Sequence, residues 1–221
     1  MGRIVDLSRP VEPGMPHART IPPARFSQVR NFVEHGIRCL ELALPAHIGT
    51  HLDAPSHYIE DGSTVDQVPP ESLIGRAYCA EVPRGGGEPV TESDLRGALA
   101  AHDARLEPGD ALLVRTGWDL RYGEDDYVLR HAYLGADAAR WAVGRGVRLV
   151  GVDTITPEYP MGMRTDEYTP EAHHTLLGNG VLIIENLVLR DIANRWVTLF
   201  VGALSVTGGD GAPARVLAVL D

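Results

Sequence analysis

Eleven residues, His47-Ile48-Gly49-Thr50-His51-Leu52-Asp53-Ala54-Pro55-Ser56-His57, limit the shapes open to this chain more than any other stretch. With nine histidines in 221 residues, a window of this length holds about half a histidine on average. This one holds three, with a carboxylate among them. All four groups occupy odd positions, which an extended backbone turns to one face. A helix would set His51 and Asp53 on nearly opposite sides, and Gly49 and Pro55 oppose helix as well. A straight strand would hold His47 about 13 Å from His51, too far to share an ion. Gly49 is therefore expected to turn the chain and bring His47 back towards His51 and Asp53.

Two imidazoles and a carboxylate are the ligand set of a catalytic divalent metal with an open position, Zn²⁺ or Mn²⁺. The alternative is a loop of hydrogen-bonded histidines, but convergence on one face is costly unless something pairs with these groups. A structural zinc site would favour a closed set containing Cys, and neither Cys39 nor Cys79 lies in the window. The two cysteines form no CxxC and sit in apolar, strand-like stretches, which predicts buried, reduced thiols.

Glu185 interrupts the apolar run Val181 to Leu189. Either it ends a strand in water or, if buried, it needs a partner. His173 precedes it on a helical stretch and shares a face with Leu176 and Leu177, so it is expected to point inward. The pair can complete the first metal's shell or hold a second ion. His174, one position round the helix, is expected in solvent.

Strand patterns cover Arg3 to Leu7, Phe26 to Phe32, Ile37 to Leu44, Ala77 to Val82, Ala111 to Arg115, Val147 to Val152, Val181 to Ile184, Val197 to Leu204 and Arg215 to Leu220. Helix signals mark Thr91 to Ala101, with a capping box from Thr91 and Asp94, and Ala136 to about Val143. A third helix is predicted with Thr169 as N-cap, Pro170 at its first position and its end at Leu177 before Gly178. Between these elements, Thr154 to Tyr168 is long and irregular, as a substrate-facing lid would be. Tyr127, Tyr159, Met161 and Met163 are candidates for an apolar substrate wall.

Composition removes other chemistries. All 20 Lys+Arg residues are Arg, which excludes Schiff-base catalysis and a P-loop lysine. The net charge of -10, with scattered arginines, gives no footprint for nucleic acid or an anionic membrane. No signal-peptide-like or membrane-spanning run is present, which predicts a cytoplasmic protein. There is no GxSxG, HExxH or CxxC, and the Gly208 to Gly211 turn lacks the helix that a dinucleotide site opens.

The segment HIGTHLDAPSH resembles the HxGTHxDxPxH signature of the cyclase-like metal-dependent hydrolases, which include bacterial kynurenine formamidases (arylformamidases) and isatin hydrolases. Weaker similarities follow in the family's order: Asp6-Leu7-Ser8, Arg115-Thr116-Gly117-Trp118, Gly151-Val152-Asp153-Thr154, Ala172-His173, Glu185-Asn186-Leu187 and Gly211-Ala212-Pro213. The resemblance implies an α/β chain with a single-domain, swivelling β/β/α fold and a mixed sheet core across residues 1–221. It implies a homodimer or homotetramer with one or two divalent ions that hydrolyses a small amide or lactam C–N bond. By position, His47, His51 and Asp53 match primary ligands, His57 the catalytic histidine, and His173 and Glu185 the ligands of binuclear members. His17-Ala18-Arg19-Thr20, within Pro16 to Pro23, stands where typical kynurenine formamidases carry an aromatic-Pro-Gly segment, which leaves the substrate open but not the chemistry. A lactone hydrolase or cyclase of secondary metabolism, and a metal-binding member without turnover, are the alternatives.

Overall fold

The most apolar runs of the sequence become strands buried on both faces, between a barrel interior and helices: residues 111–114, 149–152 and 182–185. The computed structural model describes residues 2–220. Its strands are β1 (Arg3–Asp6), β2 (Arg25–Arg30), β3 (Cys39–Ala43), β4 (His51–Asp53), β5 (Ile74–Glu81), β6 (Pro89–Val90), β7 (Ala111–Arg115), β8 (Tyr133–Leu134), β9 (Leu149–Val152), β10 (Leu182–Glu185), β11 (Arg195–Ala203) and β12 (Gly211–Leu220). The α-helices are α1 (Phe32–His35), α2 (Glu92–Ala100), α3 (Ala136–Gly144) and α4 (Glu171–Leu177).

Eight strands form one mixed sheet in the order β1-β12-β11-β5-β7-β9-β10-β4, and a further pairing of β12 with β4 closes it into a barrel. Strands β5, β7, β9 and β10 run parallel, while β4, β11 and β12 are antiparallel to their neighbours. This is the mixed α/β architecture expected from the sequence. Alternate residues divide the core in two, as the strand period requires. Leu52, Cys79, Leu113, Leu149, Ile184, Leu199 and Val216 fill the barrel. Tyr78, Leu112, Val150 and Ile183 face outward against Leu95 and Leu99 of α2, Ala138 and Ala142 of α3, and Leu176 and Leu177 of α4.

The predicted capping box of α2 forms, with the Asp94 backbone N–H donating to Thr91 and the Asp94 carboxylate receiving the Thr91 N–H. Helix α4 departs from expectation: Pro170 is its N-cap, Thr169 does not cap it, and the backbone N–H of His173 donates instead to Glu158 at 2.7 Å. A side chain fifteen residues upstream thus satisfies an orphan donor of the first turn.

The β2–β3 hairpin also differs from expectation. It pairs with no other strand, and Phe32 begins the short helix α1 at its tip. Cys39 is exposed there, whereas Cys79 is buried as predicted. The hairpin's alternating pattern looks like a buried strand, but no layer among the described residues covers it. No helix among the described residues is long and apolar enough to cross a membrane.

Candidate metal centre

Strand β4 lies in the barrel seam, paired on one side with β10 and on the other with β12. Its register sets His51 opposite Glu185 and Asp53 opposite Ile183 and Gly211. Leu52 and Ile184 point into the barrel, so His51, Asp53 and Glu185 emerge together on the outer face. There α4 lays His173 over them, on the same face as Leu176 and Leu177. Gly49 makes the predicted turn with φ +60, and a Cβ on it would lie 2.8 Å from the Met15 methyl. The turn returns His47 to 2.7 Å from Asp53.

Four buried groups alternate in a ring. His51 Nε2 lies 3.3 Å from both Asp53 and Glu185, and His173 Nε2 lies 3.5 Å from Asp53 and 3.3 Å from Glu185. The outer ring nitrogens are already committed. His51 Nδ1 donates to the Gly49 carbonyl at 2.8 Å, and His173 Nδ1 donates to Glu158 at 2.9 Å. Both imidazoles therefore present Nε2 inward, the arrangement by which outer partners fix metal-binding histidines. Yet His51 Nε2 and Asp53 Oδ2 are fully buried without a hydrogen-bond partner. Each carboxylate turns one oxygen to each histidine: Asp53 Oδ1 and Glu185 Oε2 face His51, and Asp53 Oδ2 and Glu185 Oε1 face His173. The orphaned atoms and the nitrogen and carboxylate donor set fit a divalent cation.

Electrostatics point the same way. Burial works against a charge on His51, but the Asp53 and Glu185 carboxylates push its pKa up to about 10. Burial also opposes charge on His173, and Asp53, Glu158 and Glu185 raise its pKa well above the usual histidine range. Asp53 is held well below the carboxylate range by His51, His173 and His47 despite its burial. A pocket that holds its carboxylates ionised in this way demands positive charge, as protons or as a metal.

The flank is more open. His47 sits between Asp53 and Asp210, with Nε2 2.9 Å from Asp210, and its ring stacks on His57 at 3.7 Å between centroids. His57 Nδ1 donates to the same Asp210 oxygen at 3.1 Å. Burial lowers the pKa of His57. The groups His47–Asp53–His57 and His51–Asp53–Glu185 each bring three ligand atoms within 4.8 Å, and Asp53 belongs to both.

Thus the structure brings together all six residues singled out from the sequence: His47, His51, Asp53, His57, His173 and Glu185. Glu185 is buried, not a strand end in water, and His174 is exposed as expected. Sequence reasoning missed Asp210, Glu158 and Tyr58, whose ring stacks on His173 at 4.3 Å and meets His57 edge-on. An Asp between glycines and a Tyr beside a motif histidine were the only signals available.

His47, His51, His57, His173 and Glu185 floor a cavity of about 170 Å³ walled by Ala18, Thr20, Ile21, Tyr58, Ile155, Thr156, Met161 and Arg164. The 154–168 loop faces this cavity, as a lid would. Of the expected wall residues only Met161 lines it. Tyr127 is buried, its hydroxyl donating to Asn186 at 2.9 Å. Tyr159 packs edge-on against Tyr133, and Met163 lies on the surface beside Gly87.

Two of the weaker motifs prove structural. Asp153 accepts from the backbone N–H groups of Thr116 and Gly117 and from the Thr116 hydroxyl, tying the ends of β7 and β9; burial nonetheless pushes its pKa up to about 6. Asn186, at φ 58, donates to the Gly49 carbonyl and so braces the His47–His57 turn.

Comparison with known proteins places the chain in a family. The cyclase family model, described as "Putative cyclase", matches residues 5–159. A kynurenine formamidase of Bacillus cereus (strain ATCC 10987 / NRS 248) is 31% identical over 177 residues, 80% of this chain and 78% of that protein. Isatin hydrolase A from Labrenzia aggregata, solved with benzyl benzoate, superposes with a TM-score of 0.87 at 26% identity, covering 99% of this chain and 93% of its own. A solved "potential metal-dependent hydrolase with cyclase activity" gives a TM-score of 0.79 at 26% identity over 99% of this chain and 98% of that one. The chain belongs to the cyclase family and is a metal-dependent hydrolase.

Proposed function

We propose that this enzyme hydrolyses a non-peptide C–N bond in a small N-formyl arylamine or cyclic amide. One or two Zn²⁺ or Mn²⁺ ions would be held by His47, His51, Asp53, His173 and Glu185. The buried His51–Asp53–His173–Glu185 ring, with its inward unpartnered atoms, carries this reading. Asp53, shared between two ligand groups, suits a bridge between two ions. The kynurenine formamidase and isatin hydrolase relatives support an amide as the substrate class.

When bound, the metal acidifies a water and polarises the amide carbonyl. His57 handles the proton. Its Nδ1–H donates to Asp210, so Nε2 is the basic nitrogen, and the lowered pKa keeps it neutral and ready to accept a proton near pH 7. It takes a proton from the attacking water and gives it to the departing nitrogen, which is a poor leaving group until protonated. Glu158 and Gly49 hold the ligand imidazoles in register. Tyr58, Ile155 and Met161 form the apolar wall against which a ring would lie.

We place the enzyme in the cytoplasm, a reading supported by the free, exposed thiol of Cys39. It would act there as a homodimer or homotetramer on a small-molecule substrate. Exposed Val29, Phe32, Val33, Ile37, Leu40 and Leu42 on the β2–β3 arm support self-association.

The test is a panel of formanilide, a lactam and a lactone, assayed before and after exhaustive chelation. Amide or lactam turnover that disappears with the metal and returns with Zn²⁺ or Mn²⁺ is expected. Full turnover by metal-free protein, or turnover of the lactone alone, would overturn the reading.

A further inference from the structure

The rim of the cavity carries a cation that no carboxylate among the described residues pairs with. Arg164 lines the cavity with His57, His173 and Glu185. Its Nε donates to the Tyr159 carbonyl at 2.8 Å, and its guanidinium lies 4.1 Å over the Tyr168 ring. These two contacts fix the plane of the fork but use only one of its five N–H donors. Among the described residues Arg164 forms no ion pair and no further hydrogen bond.

Other ordered arginines are spent differently. Arg76, Arg84 and Arg115 pair with Asp110, Asp94 and Glu81. Arg148, which also lacks a carboxylate, donates to three backbone carbonyls. Of the three acids on Arg164's own loop, Glu158 is committed to the ring and backbone nitrogens of His173, and Asp166 and Glu167 are exposed and form no ion pair with Arg164. Arg164 is therefore held in place, half-buried, with both terminal nitrogens free beside the metal-binding residues. A planar fork of that kind matches a carboxylate with two parallel hydrogen bonds.

We propose that Arg164 is an anion subsite, taking a carboxylate carried by the substrate away from its scissile bond, so that the enzyme's substrates are acidic amides. This rests on the amide-hydrolase reading for the location of the scissile bond, but not for the anion site itself. Glu185 lies at the floor of the cavity and Arg164 is the one arginine among its lining residues, so a carboxylate held away from the scissile bond meets its planar partner there. Ile21, Ile155 and Met161 supply apolar surface between the two poles.

The test uses the metal-loaded protein, the Arg164→Gln and Arg164→Lys variants, and two probes. The first probe is a substrate set: formanilide and its three ring-carboxylated isomers. The native enzyme should favour at least one carboxylated isomer over formanilide in kcat/KM. Arg164→Gln should reduce that preference by about 10- to 100-fold, the worth of a charge-assisted hydrogen-bond pair, through KM. Arg164→Lys, which keeps the charge and loses the fork, should fall between. The second probe is benzoate binding by titration calorimetry, which needs no turnover; Arg164→Gln should weaken it about 10-fold or more. Loss of benzoate binding in a protein that hydrolyses none of the amides would support the subsite while refuting the amide reading. Unchanged benzoate affinity, or an unchanged substrate preference with amides turned over, would overturn the subsite.

Discussion

His51, Asp53, His173 and Glu185 lie beneath α4 with side chains no more than 7% exposed, whereas His47, His57 and Asp210 stand in the cleft wall at 16%, 25% and 48%. The two buried histidines are fixed from outside the ring, by Gly49 and Glu158, and meet Asp53 and Glu185 at 3.3 to 3.5 Å. The flank is joined by direct hydrogen bonds through Asp210. One region gathers buried carboxylates that demand positive charge, and the other is more open and can exchange a proton with solvent and substrate. The division assigns ion-holding to the ring and proton transfer to the flank.

The strongest way to break this division is to remove the residue common to both regions. Asp53→Asn should lose bound metal and reduce turnover to background, with metal content and rate measured together. On the flank, His57→Ala should keep its metal while kcat falls about two to four orders of magnitude, the usual worth of a general acid or base. Loss of metal in His57→Ala would move that residue into the ring. Glu158→Gln, which alters the partner of the His173 ring and backbone nitrogens without touching the inner face of the ring, should weaken metal affinity about 10- to 100-fold, as outer partners of ligating histidines do; competition with a chromogenic chelator measures it.

A pH experiment sharpens the contrast further. In the metal-free protein His51 holds its proton up to about pH 10 because of Asp53 and Glu185, whereas burial leaves His57 neutral. A ligating nitrogen must be unprotonated, so metal uptake near pH 8 should release protons, and affinity should rise with pH until His51 titrates. His57 should contribute none, so His57→Ala should release as many protons as the native chain. Proton release in weakly buffered solution reads this directly.

Much of the fold and of the ring was legible before the structure, for identifiable reasons. Ala111–Arg115 announces itself because a strand between a barrel interior and a helix layer needs apolar residues on both faces, and Val197–Leu204 does so by alternation, with Val197, Leu199 and Val201 buried and Thr198 and Phe200 exposed. The six site residues were visible because ionisable groups in apolar or extended contexts need partners. Strand β4 was not named as a strand, since three residues with polar ends carry no propensity and exist only through pairing with β10 and β12. The two-residue strands β6 and β8 escaped for the same reason. Asp210 was invisible because the β12–β4 ladder, not local sequence, carries it to His57; its carbonyl accepts from the Ala54 N–H at 3.0 Å. The exposed Cys39 shows the converse limit, because alternation reports a half-apolar strand but not whether any layer covers it.

The central claim is that the buried ring holds the metal, and metal content per chain in the native protein beside Glu185→Gln tests it most directly. The substitution is nearly isosteric and removes the charge that faces both His51 and His173. The ring predicts one or two ions per native chain, with clearly reduced occupancy in the variant and a fold that still melts cooperatively. Equal metal stoichiometry in the two proteins would contradict it.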